Sequence, residues 1–280
     1  MTRKKLSLED KRKRLIAILE GYEALAVAFS GGVDSTFLLA VAMDVLGERL
    51  IAITAESPVH ARRETREAVE IAVALGVRHI RVPSGEMSVP DFIANTPQRC
   101  YICKRHVFGE VIRMAAQMGI RRVAHGVNLD DLGDFRPGLK AAEEMGVLTP
   151  LVEAELNKAD IRVLSRRMRL PTWNKPSMAC LASRIPYGRP ITPEVLKMVE
   201  MAEDLLIGLG FCGCRVRHHG DVARIEAAVA DLRKVMSTPM RAKILEGLRA
   251  IGFKYIAVDL EGYVPGSLNR VLEKGVSSSG

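Results

Sequence analysis

AVAFSGGVDSTFLL, residues 26–39, decides how the chain is read. It opens as an apolar run, breaks at Ser30-Gly31-Gly32, and resumes as an apolar pattern with helical spacing from about Asp34 to Leu46. A buried strand that meets a helix across two glycines leaves the helix's first backbone N–H groups without partners. Those donors and the positive end of the helix dipole favour an anion. Gly31 and Gly32 let phosphate oxygens approach the backbone, and Ser30, Ser35 and Thr36 offer hydroxyls. Asp34 adds a carboxylate suited to Mg²⁺ beside a polyphosphate. The string is neither G-x-x-x-x-G-K-[ST] nor G-x-G-x-x-G, so the P-loop NTPase and dinucleotide fingerprints do not apply.

Around this turn the pattern repeats. Strands are expected at 24–29, 50–55, 79–82 and 121–126, alternating with helices at 34–46, 60–77 and 106–119. That rhythm predicts an α/β fold: a parallel sheet with helices on both faces. Ser7, with Asp10 three residues on, caps a short helix ahead of it. Residues 150–190 change character, because four prolines in LPTWNKPSMACLASRIPYGRP (170–190) rule out long regular elements. Beyond lie an expected helix at 192–209, strands at 214–219 and 222–227, helical segments to about Ile251, and a strand at 255–260. The expected organisation is a nucleotide domain at 1–150, a proline-rich functional linker at 151–190, and a smaller C-terminal α+β domain at 191–280. The closing Ser-Ser-Ser-Gly is expected to be disordered.

The 280 residues, 48% apolar and 5% aromatic, suit an aliphatic core, and no apolar run approaches the roughly 20 residues of a membrane span. The charged opening MTRKKLSLEDKRKRL lacks the apolar centre of a secretory signal, which makes the cytoplasm the expected location. A net charge of +8 favours anionic partners such as nucleotides, tRNA or phosphorylated metabolites, and equally describes a solvated basic surface. Five cysteines, an odd number in a reducing compartment, argue against a disulfide framework and turn attention to metal or sulfur chemistry.

Cys100 and Cys103 form a C-x-x-C at a helix start, beside Arg99, Lys104 and Arg105, where the dipole and the cations stabilise thiolates. That spacing suits a metal or cluster and equally a redox pair. Cys180 lies in the proline-rich stretch between Lys175 and Arg184, a setting for a nucleophile or sulfur donor. Cys212 and Cys214 read as core residues of a strand, with a zinc site shared with Cys100 and Cys103 as the lesser alternative. On the rim at 125–131, Asn128, Asp130 and Asp131 are candidate helpers for metal or phosphate.

SGGVDS resembles the pyrophosphate loop of the PP-loop ATP pyrophosphatases. That resemblance implies cleavage of ATP between its α and β phosphates and adenylation of an acceptor oxygen, with the adenine near Ala28 and Thr54 at the ends of the first two strands. Taken with RCYICK, HGVNLDD, KPSMACLASRIPYG, RVRHHGDVARIE and GFKYIAVDLEGY, the chain resembles the LarE family of sulfur transferases over nearly its whole length. The resemblance implies adenylation of a carboxylate of pyridinium-3,5-biscarboxylic acid mononucleotide, then sulfur insertion to give the thiocarboxylate, in the biosynthesis of the nickel-pincer cofactor of lactate racemase. Asp34 and Asp130 would hold Mg²⁺, while Ser183, Arg184, Arg215 and Arg217 would hold the substrate phosphate. Cys180 matches the sulfur-carrying cysteine. It either surrenders its own sulfur or joins Cys100 and Cys103 on a [4Fe–4S] cluster whose open iron carries a sulfide. Higher homo-oligomers, hexamers among them, are also implied, whereas no sulfur source is indicated.

Three other readings compete. A tRNA thiolase that adenylates a nucleobase suits the charge and the C-x-x-C, but no appended RNA-binding module is recognisable. An amidating synthetase leaves Cys180 unexplained, and a nucleotide sensor would bind ATP without releasing pyrophosphate. A closing loop over the acyl-adenylate is expected at 83–99 or 130–140.

Overall fold

The computed structural model describes residues 6–133, 137–177 and 179–273, so the expected disorder at 277–280 lies outside it. Ser7 caps α1 (Leu8–Glu20) reciprocally: its hydroxyl accepts from the Asp10 N–H at 3.2 Å, and Asp10 accepts from the Ser7 N–H at 3.3 Å. Strands and helices then alternate: β1 (Leu25–Ala28), α2 (Val33–Leu46), β2 (Leu50–Glu56), α3 (Arg62–Ala74), β3 (Arg78–Pro83), α4 (Arg99–Gln117) and β4 (Val123–His125). Two longer helices, α5 (Pro137–Glu144) and α6 (Lys158–Arg167), follow in this part of the chain. All four strands are parallel in the order β3-β2-β1-β4.

Period-two alternation covers both faces of this sheet. Leu25 and Val27 of β1 join Phe37, Leu38 and Val41 of α2, with α1, α3 and α6, in one buried cluster. Ala26 faces the other way, with Ile51, Ile53 and Val82, onto Val107, Phe108 and Val111 of α4 and Ala142 of α5. Because α2 is buried almost all round from Val33 to Ala42, its first turn is held rigidly at the sheet's carboxyl edge.

The chain divides into two compact units, one made of Met1–Val89 and Gln98–Met178, the other of Pro90–Pro97 and Ala179–Gly280. The stretch expected as a linker at 151–190 is therefore shared: α6 and Lys175 belong with the parallel sheet, and Cys180 with the second unit. That second unit contains α7 (Pro193–Gly208), β5 (Arg215–His219), β6 (Val222–Glu226), α8 (Thr238–Ile251) and β7 (Tyr255–Val258). β6 pairs antiparallel with β5 and parallel with β7. Val216, Ala223 and Ile225 point into a core with Leu206 and Leu248, and Arg215 and Arg217 alternate onto the opposite face. Asn95 ties the inserted 90–97 segment in: its Nδ2 donates to the carbonyls of Ile185, Pro186 and Arg189 at 3.3, 2.8 and 2.9 Å. The 83–99 stretch is thus anchored at its middle by the second unit. Of the other expected closing loop, 130–140, residues 134–136 are outside the description. Among the described residues no helix is long and apolar enough to cross a membrane.

Candidate functional site

The turn after β1 is built as a cradle. Gly31 adopts φ +68°, and a Cβ there would sit 3.0 Å from Ala68 Cβ of α3, so conformation and packing both demand glycine. Gly32 is ordinary extended backbone at the N-cap of α2, and no side chain caps that helix. Ser30 and Ser35 hydroxyls meet at 3.1 Å, while Thr36 Oγ1 is buried with no hydrogen-bond partner among the described residues. Gly126, just after β4, presses on the same place: a Cβ there would lie 2.6 Å from Ser35 N. That approach carries the 125–131 rim to the start of α2.

Asp34, on the first turn of α2, is paired with Lys158 at the start of α6. Its Oδ1 accepts a long hydrogen bond from Asn128 Nδ2 at 3.4 Å. Burial pushes the Asp34 carboxyl above its usual range, against the pull of the Lys158 ammonium. Asp130, expected with Asp34 at Mg²⁺, accepts instead from the Lys158 backbone N–H at 3.0 Å, and Asp131 accepts from the Asn128 backbone N–H at 3.0 Å. The two aspartates therefore order the loop that presents Lys158. A second cation reaches the turn: Lys175 Nζ donates to the Gly31 carbonyl at 3.1 Å and to Glu67 at 2.5 Å.

Neither lysine stands near the glycine turn in sequence, so sequence reasoning placed neither there. The only signal was local: Asn157 and Asp160 form a capping box around Lys158, which marks a helix start without saying what it faces. Ala28 ends β1, half-buried. The Thr54 hydroxyl donates to the Phe29 carbonyl at 2.7 Å and so accepts from His79 Nε2 at 2.7 Å, which fixes that ring's tautomer.

In the second unit Cys180, half-buried, precedes a short helical turn, Leu181–Arg184. Its carbonyl accepts from Ser183 N, Ser183 Oγ and Arg184 Nη1 at 2.9, 2.7 and 3.0 Å. Arg184, expected to help hold a phosphate, is turned inward and 2% exposed. Its Nε and Nη2 grip Glu203 at 2.8 and 3.0 Å, and its Nη1 also reaches the Ala179 carbonyl at 2.6 Å. Arg217 donates to the Ser183 carbonyl at 2.8 Å and to Glu226 at 2.6 Å, and Arg224 shares Glu226 at 2.9 Å. Arg215 lies over the Tyr263 ring at 5.2 Å, and burial lowers its pKa from the ordinary value, with Arg184 adding to the effect. This is a basic sheet face beside the Cys180 turn, framed by two buried carboxylates, Glu203 and Glu226, that the sequence did not reveal.

Cys100 (exposed) and Cys103 (half-buried) lie one turn apart at the start of α4, so both thiols share a face of the helix. Their chemistry fits iron–sulfur ligation, yet among the described residues no three His, Cys, Asp or Glu side chains are grouped to hold a metal. Cys214 is buried, as expected of a core residue, whereas Cys212, expected in the core with it, is exposed. For Mg²⁺ the hard oxygen of Asp34 fits, and the orphaned Thr36 hydroxyl and uncapped α2 N–H groups suit phosphate oxygens.

A family model described as asparagine synthase matches residues 19–129. An uncharacterized protein of Synechocystis is 40% identical over 95% of this chain and all of its own. A tRNA-specific 2-thiouridylase of Leptospira biflexa is 26% identical over 55% of this chain and half of its own. The pyridinium-3,5-bisthiocarboxylic acid mononucleotide synthase of Lactiplantibacillus plantarum is 35% identical over 96% of this chain and 97% of its own. A likeness of that depth, spanning both units and joined to a PP-loop turn at the carboxyl edge of a parallel sheet, places the chain in the LarE family of PP-loop proteins.

Proposed function

We propose that this protein is an ATP-dependent sulfur transferase that adenylates a carboxylate of pyridinium-3,5-biscarboxylic acid mononucleotide and converts it to the thiocarboxylate, a step in making the nickel-pincer cofactor. The observation that carries the activation half is the cradle of Ser30, Gly31, Gly32, Ser35 and Thr36 flanked by Asp34 and two lysines. The acceptor is supported by the product named for the full-length relative.

A carboxylate resists sulfur because its oxygen leaves poorly and its charge repels a thiolate. The substrate oxygen attacks the α-phosphorus of ATP, the α–β bridge breaks, and pyrophosphate departs. Uncapped N–H groups of α2 and the Lys158 ammonium meet the charge that grows on the leaving group. Asp34 would hold Mg²⁺, which supplies further neutralisation of that charge. The Cys180 thiolate then attacks the acyl carbon and AMP leaves, giving a thioester. Loss of the Cys180 Cα proton and cleavage of its Cβ–S bond release the thiocarboxylate and leave dehydroalanine. Ser183, Arg215 and Arg217 face the substrate phosphate in this reading, and Arg184 acts behind them by fixing the Cys180 turn.

Cys100 and Cys103, paired on α4, favour a second route to the same product. With Cys180 they would be the thiolate ligands of a [4Fe–4S] cluster, which would supply a site for exogenous sulfide. Intact mass after turnover, beside an iron assay on anaerobically purified protein, separates the two. A loss of one H₂S marks the sacrificial route, and unchanged mass with about four irons per chain marks the cluster. Sulfur transfer with neither signature would remove both. The protein acts in the cytoplasm as a homo-oligomer in this proposal, and a single monomeric species in solution would overturn the latter.

A further inference from the structure

The segment that follows β7 runs alongside the end of β6 and is fixed there by its backbone. Asp259 N–H donates to the Ile225 carbonyl at 2.9 Å, and Tyr263 N–H to the Ala227 carbonyl at 2.8 Å. Gly262 makes the second contact possible: its φ is +74°, and a Cβ there would lie 2.6 Å from the Ala227 carbonyl oxygen. Ala227 follows Glu226, which stands opposite Arg215 in the β5–β6 register. The segment therefore delivers the Tyr263 side chain to Arg215, whose guanidinium carbon lies 5.2 Å from the ring centroid.

Side chains hold the same segment in shape. Arg270 Nη1 and Nη2 donate to the two carboxylate oxygens of Glu261 at 2.6 and 2.7 Å, which closes residues 261–270 into a loop. Tyr187 Oη donates to Asn269 Oδ1 at 3.1 Å. Arg270 and Glu261 are both exposed, so their pair fixes geometry more than it adds stability.

What the ring does to Arg215 follows from the shape of a guanidinium. Its N–H bonds lie in one plane and point outward from the edge, while its faces accept an aromatic ring. Tyr263 on a face and the Cys214 carbonyl, which accepts from Nη1 at 2.9 Å, hold that plane in one orientation. Burial first, and the nearby Arg184 second, disfavour the Arg215 charge, so without the ring the guanidinium would turn away from Arg184 toward water. A phosphate is recognised along the edge and offsets the same repulsion.

We infer, on the reading above that Arg215 and Arg217 hold the substrate phosphate, that Tyr263 is a positioning residue: by covering one face of Arg215 it presents the N–H edge to the phosphate of a pyridinium mononucleotide. The ring acts through Arg215 and touches no reacting atom. Its effect falls on affinity for the phosphate and leaves binding of the rest of the substrate unchanged.

The test compares binding of pyridinium-3,5-biscarboxylic acid mononucleotide with that of its nucleoside, the same molecule without the phosphate, by competition calorimetry on the full chain. Wild-type protein prefers the mononucleotide, and Arg215→Met removes most of that preference. Tyr263→Leu lowers it about tenfold by weakening the mononucleotide alone, the scale of one desolvated cation–π contact, and Tyr263→Phe, which keeps the ring, retains it. A general loosening of the fold would weaken both ligands alike. Should Tyr263→Leu fail to fold, Arg270→Met, which opens the surface pair with Glu261, lowers the preference by a smaller factor. An unchanged preference in whichever of these two variants is read, or an equal loss for both ligands, overturns the role of Tyr263 alone. A wild type that binds the two ligands alike, or an Arg215→Met variant that keeps the preference, overturns the phosphate reading of Arg215 and the role of Tyr263 with it. A wild type that binds neither overturns the proposed acceptor as well.

Discussion

At the glycine turn the groups that would face a ligand are sequence neighbours, Ser30 to Thr36, presented by one strand end and one helix start. At the Cys180 turn almost nothing that gives order is local: Glu203 comes from α7, Arg217 from β5, and Asn95 from a segment more than eighty residues upstream. The first region is made of backbone geometry, which a short string of residue types can specify. The second is held by buried charge pairs, which no short string reveals. In the proposed reaction that contrast also separates the chemistry, with activation assigned to the first and sulfur delivery to the second.

Cys180→Ala is the sharpest cut between them. Thiocarboxylate formation should vanish, while pyrophosphate release in the presence of the acceptor acid continues, because the cradle contains no cysteine. Transfer that survives, measured by mass of the product, would show that the sulfur comes from elsewhere. The reciprocal cut is Lys158→Met, which removes the cation paired with Asp34. Pyrophosphate release should fall by roughly 10²–10³-fold, the usual cost of removing one preorganised group from developing charge, and Lys158→Arg should recover part of it. Cys180 alkylation without nucleotide should stay as in the wild type. A matching change there would mean the two regions are not separately built.

Glu203→Gln tests the buried frame. Arg184 and Glu203 are 2% and 0% exposed, so neutralising one leaves an uncompensated charge in the interior. About 3–5 kcal/mol of stability should be lost from the second unit, read as faster hydrogen exchange in β5 and the 181–184 turn. Exchange in β1 should hold. If β1 and β5 loosen together, the two regions share one cooperative fold and the contrast between them fails.

These dependences explain what could be read in advance. The parallel sheet was legible because β1 and β2 are apolar runs buried on both faces, and because Gly31 and Asp34 mark a strand-to-helix turn. The roles of Lys158 and Lys175 were not, because each lies more than 120 residues from its partner at the turn and nothing in its own surroundings names that partner. Arg184 shows the opposite failure. An arginine four residues from Cys180 reads naturally as a phosphate ligand, yet Glu203 turns it into part of the frame. The division between units was missed for the same reason, since Asn95, at φ +56°, binds a loop ninety residues away.

The smallest effect concerns two histidines of the first unit, His60 and His125. Burial, then the Lys104 charge, lowers His60 to about 4 and His125 to about 3, well under the ordinary 6.5. His125 Nε2 is buried with no hydrogen-bond partner among the described residues, and its ring packs edge-on against Phe108 at 5.2 Å. Above pH 6.5 both rings are neutral in the folded and unfolded chain alike, and they impose no cost. As the pH falls through 6.5 the unfolded chain takes up protons that the fold still refuses, so stability declines from there toward pH 4. Urea midpoints taken between pH 7 and 4.5 should show that decline, and His125→Gln, which keeps a polar side chain but does not titrate, should flatten it. The loss should register in β1 and β4 by hydrogen exchange, and His218 and His219 of β5, also lowered by burial, act in the same direction. A steeper loss in β5 than in β4 would place the acid-sensitive groups in the second unit and reverse the assignment.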